Sequence, residues 1–485
     1  MTLWLAQLLL TAAWSADLST APALSLPQAV REALAGSPEL KRARVVLADA
    51  GIEEPLILAN LDPKFEASYT SANDRLPRAS PVFHGSYAHA ENWRTAISQN
   101  TLLGTQASLA WRNERVRSPS AFRVLDPSVD SRMSLELRQP LLRYFWGRPD
   151  IARRRRARAG ERAALESVRH AAGELAAGAA RAYLELDHAR RTLAIREEAV
   201  VDARLLKKRN EEKRRYGIVE PSDLLQAEAS LEAAETELEV GRMQEQQAER
   251  GLLSALHRLD ENPAPPLNGP SGAPAAPEER AADRVRRALL ERADLRSARA
   301  RAERAEWSER MERLDNLPDL SVNATYGFGG LGTRYSDAWG DLDSLDHAEK
   351  AAGMSLSIPF GFKKERLIRR RAELAAESAL LEVQKLEESI HKEVRDAGLL
   401  LELARKREAA GRRLAALEAR KLAAAEEDFK RGRTTTDLLV RFQADLRRAQ
   451  AALLRAEIDA AQAAVELARA SGTLLSSLGF LGEAW

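Results

Sequence analysis

The amino-acid sequence predicts an α+β membrane protein that combines long coiled-coil helices with strands of a transmembrane β-barrel shared between chains. Three observations support this fold class. The chain contains two similar halves, each half has segments in which apolar and polar residues alternate, and each half continues into a long stretch with heptad spacing of apolar residues. Alternation with a period of two is typical of strands, and heptad spacing is typical of coiled coils.

The composition favours extended helices over compact globules. A chain of 485 residues would ordinarily suggest about three compact domains, but long helical rods do not follow that rule. Charged residues make up 30% of the chain and aromatic residues only 5%, a mixture typical of helices packed side by side. The chain has no cysteine, which excludes disulfides, thiolate metal sites, a cysteine nucleophile and a lipoprotein anchor.

An apolar stretch from Leu3 to Ala13 begins the chain, and Ala13 and Ser15 flank Trp14 in the small-x-small pattern of a cleavage site. We interpret residues 1–16 as a secretory signal peptide, although no Lys or Arg precedes the apolar stretch. The stretch is shorter than the ~20 apolar residues that span a bilayer, and no later segment qualifies. Any membrane-spanning part is therefore expected to consist of strands.

An internal duplication organises the rest of the chain. The sequence Val-Arg-Glu-Ala-Leu at 30–34 matches Val-Arg-Arg-Ala-Leu at 285–289, and the match continues without a gap to Arg44 and Arg299. A segment rich in proline and glycine separates the two copies and interrupts helix and strand alike. The predicted units are a first repeat at 24–260, a linker at 261–278, a second repeat at 279–478 and a C-terminal tail at 479–485.

Strands are predicted at about 62–140 and at about 318–360. In the second region, Val322, Ala324, Tyr326 and Phe328 alternate with polar residues or glycine. The two regions also hold most of the aromatic residues, as in transmembrane barrels. Up to six candidate strands are present, including an additional pair around 95–99 and 106–111. Because the smallest membrane barrels use about eight strands and no open edge is left in lipid, the barrel must be shared between chains. A soluble β-sandwich capping a coiled coil is the alternative.

Heptad spacing predicts a long helix after each strand region, from about 148 to 215 and from about 364 to 430. At 1.5 Å per residue each helix would extend ~100 Å. Each ends in a glycine-containing turn, at 217–222 and at 432–436, and we call these the tip turns. The glycines are expected to end the long helices, and side chains of the next residues are expected to cap the following helices. The predicted caps are Ser222 with Asp223, supported by Gln226, and Thr436 with Asp437.

These features together resemble the TolC family of outer-membrane efflux and secretion channels. Two parts of the sequence show the resemblance. The first is the segment from Leu24 to Val30, followed by Ala33-Leu34 and Pro38-Glu39-Leu40. The second is the pair of turn sequences at 217–225 and 432–439. It implies a homotrimer with a twelve-stranded barrel in the outer membrane of a Gram-negative bacterium, continued by a twelve-helix tunnel through the periplasm. Four strands per chain are then expected, so the additional strand pair either lies outside the barrel or makes the barrel different.

The resemblance further implies a channel of a tripartite efflux or type I secretion system. The implied partners are a periplasmic adaptor (membrane fusion) protein, an inner-membrane pump of the RND, ABC or MFS type, and outer-membrane lipid. Asp437 matches an aspartate at the family's periplasmic gate, whereas Val440 stands where the family has a second acidic residue. The residues implied in adaptor docking are Gly217, Ile218, Ser222, Asp223, Gly432, Arg433 and Thr434.

Other motifs predict no chemistry. Gly327 to Gly332 has the spacing GxGxxG, but no helix is predicted to follow it, and we interpret it as a loop. Runs of arginine at 153–156 and 369–371 follow the strands in both repeats, which favours lipid headgroups over nucleic acid. The histidines lack the spacing of metal ligands, and no catalytic grouping is present. We therefore expect no enzyme activity and no cofactor. A periplasmic structural coiled-coil protein without channel activity is the alternative function.

Overall fold

The computed structural model describes residues 23–76, 87–120, 122–216, 220–258, 264–269, 279–358, 360–431 and 433–480. The predicted signal peptide lies outside these residues, as do parts of the linker and of the C-terminal tail. The chain divides into two compact units. One, the helical unit, comprises 1–45, 165–296 and 384–485, and the other, the sheet unit, comprises 46–164 and 297–383.

The predicted combination of helices and strands is confirmed. The helices are α1 (Leu26–Gly36), α2 (Pro38–Ala59), α3 (Arg148–Arg215), α4 (Pro221–Ala255), α5 (Ala281–Glu291), α6 (Ala293–Asp315), α7 (Tyr335–Asp343), α8 (Lys363–Lys430), α9 (Thr436–Ala470) and α10 (Leu474–Ser477). Helices α3 and α8 both contain 68 residues, and α4 and α9 both contain 35. The long helices and the helices that follow them thus have equal lengths in the two halves of the chain. No helix in the described part of the chain is long and apolar enough to cross a membrane.

Six antiparallel strands form one sheet in sequence order. They are β1 (Lys64–Asp74), β2 (Ala88–Asn100), β3 (Gln106–Arg117), β4 (Ser128–Pro140), β5 (Asp319–Gly332) and β6 (Ala348–Ser357). The additional pair predicted from the sequence is β2 and β3. It lies inside the sheet, because β2 pairs with β1 along its length and β3 pairs with β4.

The turn between β2 and β3 packs closely on the chain that follows β4. A Cβ atom on Gly104 would lie 2.6 Å from the carbonyl oxygen of Tyr144, and one on Gly147 would lie 1.8 Å from that of Leu102. Both glycines have positive φ, +80° and +65°, a conformation that other residues adopt only at a cost. The hairpin is thus fixed at its turn as well as along both strands.

The sheet has one apolar and one polar face. Residues directly opposite each other in the register share a face, so the register assigns every strand residue to one side. The apolar face carries Phe65, Tyr69, Trp93, Ile97, Leu109, Trp111, Met133, Leu135, Leu137, Val322, Tyr326, Phe328, Met354 and Leu356. Several are widely exposed, such as Phe65 at 69% and Met354 at 70%. The polar face carries Lys64, Glu66, Asn92, Arg94, Arg112, Glu114, Asp130, Arg132, Glu136, Arg138 and Glu349.

Helix α7 covers the loop end of the apolar face. Its Trp339 ring lies 5.3 Å from that of Trp111, and its Nε1 donates a hydrogen bond of 2.9 Å to Asn113 Oδ1. A Cβ on Gly330 would lie 2.1 Å from the carbonyl oxygen of Ala338 in α7. The prediction of a loop at 327–332 without a following helix is therefore wrong. These residues belong to β5, and the glycine allows α7 to approach the strand.

In the helical unit, small residues on α3 lie in the interior. Val168, Ala172, Ala179 and Leu186, four of the heptad positions, are at most 1% exposed, and alanine lets helices approach closely. Tyr183 is also fully buried. Its hydroxyl lies 2.9 Å from the carbonyl oxygens of both Leu24 and Gly269 and can donate to either. This hydroxyl therefore ties the start of the described chain to the segment between the repeats.

Candidate gate and docking turns

Both tip turns lie in the helical unit, each between a 68-residue and a 35-residue helix. The first joins the end of α3 at Arg215 to the start of α4 at Pro221, and the second joins α8 to α9. The candidate docking residues Gly217, Ile218 and Gly432 lie outside the described residues. The geometry below therefore concerns the flanking helix ends.

The predicted capping roles are wrong. The N-cap positions are Glu220 and Thr435, and neither side chain makes a capping hydrogen bond. Helix α4 begins earlier than predicted because Pro221, with its fixed φ, occupies the first helical position. Ser222 and Asp223 are then the second and third residues of α4.

Asp437 is likewise inside its helix, as the second residue of α9. Both Asp223 and Asp437 therefore lie in the first turn of a helix, where the backbone N–H groups favour a negative charge. A carboxylate in this position does not need to act as a cap. Since Asp437 is not used in capping, its charge is available for another role.

The residues of the second turn differ in exposure. Asp437, Arg433 and Thr435 are exposed, whereas Thr434 is half-buried. Thr436 is only 2% exposed. The buried Thr436 thus anchors the start of α9, while the neighbouring Asp437 directs its carboxylate to the surface of the isolated chain. In the first turn, Asp223 is half-buried and Ser222 is exposed.

A small apolar cluster holds the helix ends beside the turns together. Its buried members are Leu206, Ala227, Ala425, Phe429 and Leu439, which come from α3, α4, α8 and α9. The ammonium group of Lys213 lies 3.8 Å from the centre of the Phe429 ring, a cation–π contact that adds to the packing. Because all four helices contribute, the two turns are positioned relative to each other by side-chain packing.

Asn210 connects the starts of α4 and α9 directly. It is completely buried in α3, and its Nδ2 donates hydrogen bonds to the carbonyl oxygen of Asp223 at 3.3 Å and to Thr436 Oγ1 at 3.4 Å. This residue was not among those selected from the sequence. One signal was available, because Asn210 follows the buried residues Ala203 and Leu206 at helical spacing, which places a polar side chain on the interior face of α3.

A groove lies in the helical unit, between α3, α4 and α9. It encloses about 480 Å³, and its apolar lining includes Ile195, Ala199, Ala234 and Val440. Arg447 of α9 closes one side by binding Glu198 of α3 at 2.8 Å and also Asp202. An apolar groove with charged margins is suited to binding a helix of another protein. No group of three or more potential metal ligands occurs among the residues that the structure describes.

Comparisons with known proteins agree with this architecture. Residues 285–473 match the family described as outer membrane efflux protein. No curated protein is significantly similar in sequence.

Solved structures with a similar fold include three outer-membrane proteins. The CmeC outer membrane channel of Campylobacter jejuni has a TM-score of 0.64 at 17% identity, covering 93% of this chain and 86% of that one. The outer membrane protein VceC of Vibrio cholerae has a TM-score of 0.65 at 17% identity, covering 92% of this chain and 96% of that one. The open-state MtrE outer membrane channel of Neisseria gonorrhoeae has a TM-score of 0.67 at 16% identity, covering 93% of this chain and 89% of that one.

The fold is thus that of outer-membrane channels. The predicted resemblance to the TolC family is confirmed, because residues 285–473 match the outer membrane efflux protein family and the fold is similar to those of solved outer-membrane channels.

Proposed function

We propose that this protein is the outer-membrane channel of a tripartite efflux or type I secretion system. The observation that carries this proposal is the one-sided sheet, whose apolar face is widely exposed in the isolated chain. On β5 the apolar residues extend from Leu320 to Phe328, about 27 Å at ~3.4 Å per residue. That length is close to the ~25 Å apolar band of outer-membrane barrels. A periplasmic structural coiled-coil protein has no need of such a face.

The sheet has two open edges, on β1 and β6. Since an open edge cannot face lipid, the edges are proposed to pair with neighbouring chains and close a barrel. For the homotrimer that the family resemblance implies, three chains of six strands give eighteen strands instead of twelve. With strands ~4.8 Å apart and tilted by ~40°, the circumference rises from about 75 Å to about 110 Å. Barrels of this size leave an aqueous channel.

The proposed location is the outer membrane of a Gram-negative bacterium, with the long helices forming a tunnel in the periplasm. The proposed partners are a periplasmic adaptor protein and an inner-membrane pump of the RND, ABC or MFS type. The proposed role is to pass solutes from that pump to the outside. The names of the similar structures support the membrane, since CmeC and MtrE are described as outer membrane channels.

Trimer formation and channel activity can be tested together. Purified protein in detergent is expected to have three times the mass of one chain by native mass spectrometry, because one sheet cannot close alone. The same particles are expected to form ion-conducting pores in planar bilayers. A well-folded monomer, or trimers that never conduct, would contradict the proposal and favour the structural alternative.

Asp437 is proposed to form part of the periplasmic gate. The support is its match to the family's gate aspartate, its exposure and its freedom from capping. In a trimer three such carboxylates would form a ring that attracts cations. Replacing Asp437 with Ala is expected to lower cation selectivity and block by divalent cations in bilayer recordings, with trimer yield changed little.

Asp223→Ala is a matched control for this experiment, because Asp223 also lies in the first turn of a helix. Removing either carboxylate costs a similar helix-dipole interaction, typically ~0.3–1 kcal/mol. Only Asp437→Ala should change the ionic currents. Equal effects of both substitutions on stability, with currents unchanged, would assign Asp437 a purely structural role.

The tip turns and the adjacent groove are proposed to bind the adaptor protein. A cysteine in place of the exposed Arg433 is expected to form cross-links to a co-expressed adaptor, and the wild-type chain provides a clean background because it has no cysteine. A cysteine in place of Asp343, at the far end of α7 in the sheet unit, serves as the control. Cross-links from position 343 but not from position 433 would reverse the proposed orientation.

A further inference from the structure

Three arginines stand side by side on the polar face of the sheet. In the register, Arg94 of β2 is directly opposite Arg112 of β3, and Arg112 is directly opposite Arg132 of β4. Ser68 of β1 and Gly329 of β5 continue the same line at its two ends. Directly opposed side chains have Cβ atoms only ~5 Å apart, and like charges in such pairs are destabilising.

Four carboxylates lie on the same face next to the row, Glu114 and Asp130 on one side of it and Glu66 and Glu349 on the other. Among the described residues, only Asp130 forms an ion pair with an arginine of the row. Asp130 binds Arg132, with oxygens 3.0 Å from its Nε and 2.9 Å from its Nη2. Glu114 lies two residues from Arg112 on the same face, opposite Asp130 in the register. Arg94 and Arg112 form no ion pair with any residue that the structure describes. An arginine side chain cannot relieve the repulsion by losing its proton.

The surroundings of the row leave room for a ligand. The flanking residues Ser68 and Gly329 are small, and Ala96 and Ala110 occupy the next level of the same face on β2 and β3. The guanidinium groups of Arg94 and Arg112 therefore have free donors beside small neighbours. Such planar forks match the oxygens of carboxylate, sulfate and phosphate groups.

We infer that Arg94, Arg112 and Arg132 form an anion-binding row on the lumenal wall of the barrel, and that the exported solutes carry carboxylate, sulfate or phosphate groups. This inference relies on the proposed channel, in which the apolar face meets lipid and the polar face lines the lumen. Rings of arginine favour anions in pores. Two of the three arginines lie on the β2–β3 hairpin. The two strands beyond the four expected per chain therefore contribute most of the positive charge of the row and also enlarge the barrel.

The inference can be tested with charged thiol reagents. In trimers carrying Ser68→Cys, each reaction rate is divided by the rate of the same reagent with a small free thiol in solution. On this scale the anionic sulfonatoethyl methanethiosulfonate is expected to react about threefold or more faster than the cationic trimethylammonium-ethyl reagent at ~10 mM salt, where screening is weak. Adding Arg94→Gln and Arg112→Gln should lower that rate ratio by about threefold or more. Arg115→Gln is the control, because Arg115 lies on β3 but on the opposite face beside Glu91.

An unchanged rate ratio after the two arginine substitutions would overturn the inference while leaving the channel intact. If the variant with both arginine substitutions does not form trimers, the inference is tested by how the rate ratio of the Ser68→Cys protein depends on salt. The ratio must approach one at ~1 M salt, where the Debye length is ~3 Å, and a ratio already near one at low salt would overturn the inference. A different result, with Ser68→Cys trimers unreactive and Tyr69→Cys trimers reactive, would place the polar face away from water and contradict the proposed channel itself.

Discussion

Replacing Gly147 with Ala is expected to cause the largest loss of folded protein of any single substitution considered for the sheet unit. The residue has φ +65°, and an added Cβ would lie 1.8 Å from the carbonyl oxygen of Leu102. The conformation itself costs a residue with a side chain ~1–3 kcal/mol. The contact with backbone, which cannot rotate away, adds overpacking of ~1–3 kcal/mol. Urea unfolding followed by circular dichroism measures the effect.

Gly361→Ala is the matched control for Gly147→Ala. Gly361 also has positive φ, +84°, and also lies just before a 68-residue helix, but a Cβ there would meet no atom within 4 Å. Its substitution should therefore cost only the conformational part. If the two variants lose the same stability, the close approach between Gly147 and Leu102 contributes nothing, and the β2–β3 turn is not anchored as described.

Replacing Arg469 with Ala is expected to have the largest effect in the helical unit. Its guanidinium group binds Glu174 of α3 at 2.6 Å, Glu466 of α9 at 3.1 Å and also Glu393 of α8. Glu393 in turn binds Arg292 at 2.5 Å. Breaking a buried ion pair by removing one partner costs ~3–5 kcal/mol. We expect about 3 kcal/mol, at the low end of that range, because water still reaches Glu174 and Glu466.

Two comparisons test this expectation. Arg448→Ala removes a widely exposed arginine of the same helix, paired with Asp445, and should cost about 0.5 kcal/mol. Arg469→Lys keeps the charge but loses the planar guanidinium group with its several N–H donors. It should lower the free energy of unfolding in urea by an intermediate amount. Equal losses for Arg469→Ala and Arg448→Ala would show that the network does not stabilise the unit.

The same network predicts how stability depends on pH. Hydrogen bonds from Arg469 lower the pKa of Glu466. Burial alone would raise the pKa of Asp294, but the hydrogen bonds and charge of Arg292 outweigh it and lower that pKa. Groups with a lowered pKa stabilise the fold above their unfolded values of ~4, and this contribution is lost as the pH falls below them. The cost of Arg469→Ala should therefore diminish below about pH 4.

Much of the fold followed from local sequence patterns. The strands were predictable because each side of the sheet has its own chemistry, so Val322 to Phe328 alternate with a period of two. The additional pair β2 and β3 was also visible, but its position inside the sheet depends on pairing with β1 and β4, which no local pattern encodes. The number of strands in the sheet therefore could not be predicted from the sequence alone.

The features that could not be predicted from the sequence depend on distant contacts. Helix α7 has only nine residues and is held by Trp339, which contacts Trp93 and Trp111 across the sheet. The link made by Asn210 joins residues that are 226 positions apart in the chain. The capping prediction was wrong for a local reason. Pro221 is the first residue of α4, so Ser222 and Asp223, the expected caps, lie inside the helix. Gate and docking roles were derived from family resemblance and remain proposals.

The pairing of β4 with β5 has a consequence for the order in which the chain folds. Strands β1 to β4 follow one another in the chain and each pairs with the next, so they can form a meander without the rest of the sheet. Their partner β5 begins at Asp319, after two helices of the first repeat and two of the second. Closing so long a loop is slow, although each doubling of its length costs only ~0.6 kcal/mol. Until β5 pairs with it, the edge of β4 and the apolar face beside it stay unprotected, so this intermediate is the stage at which the chain is most prone to aggregate.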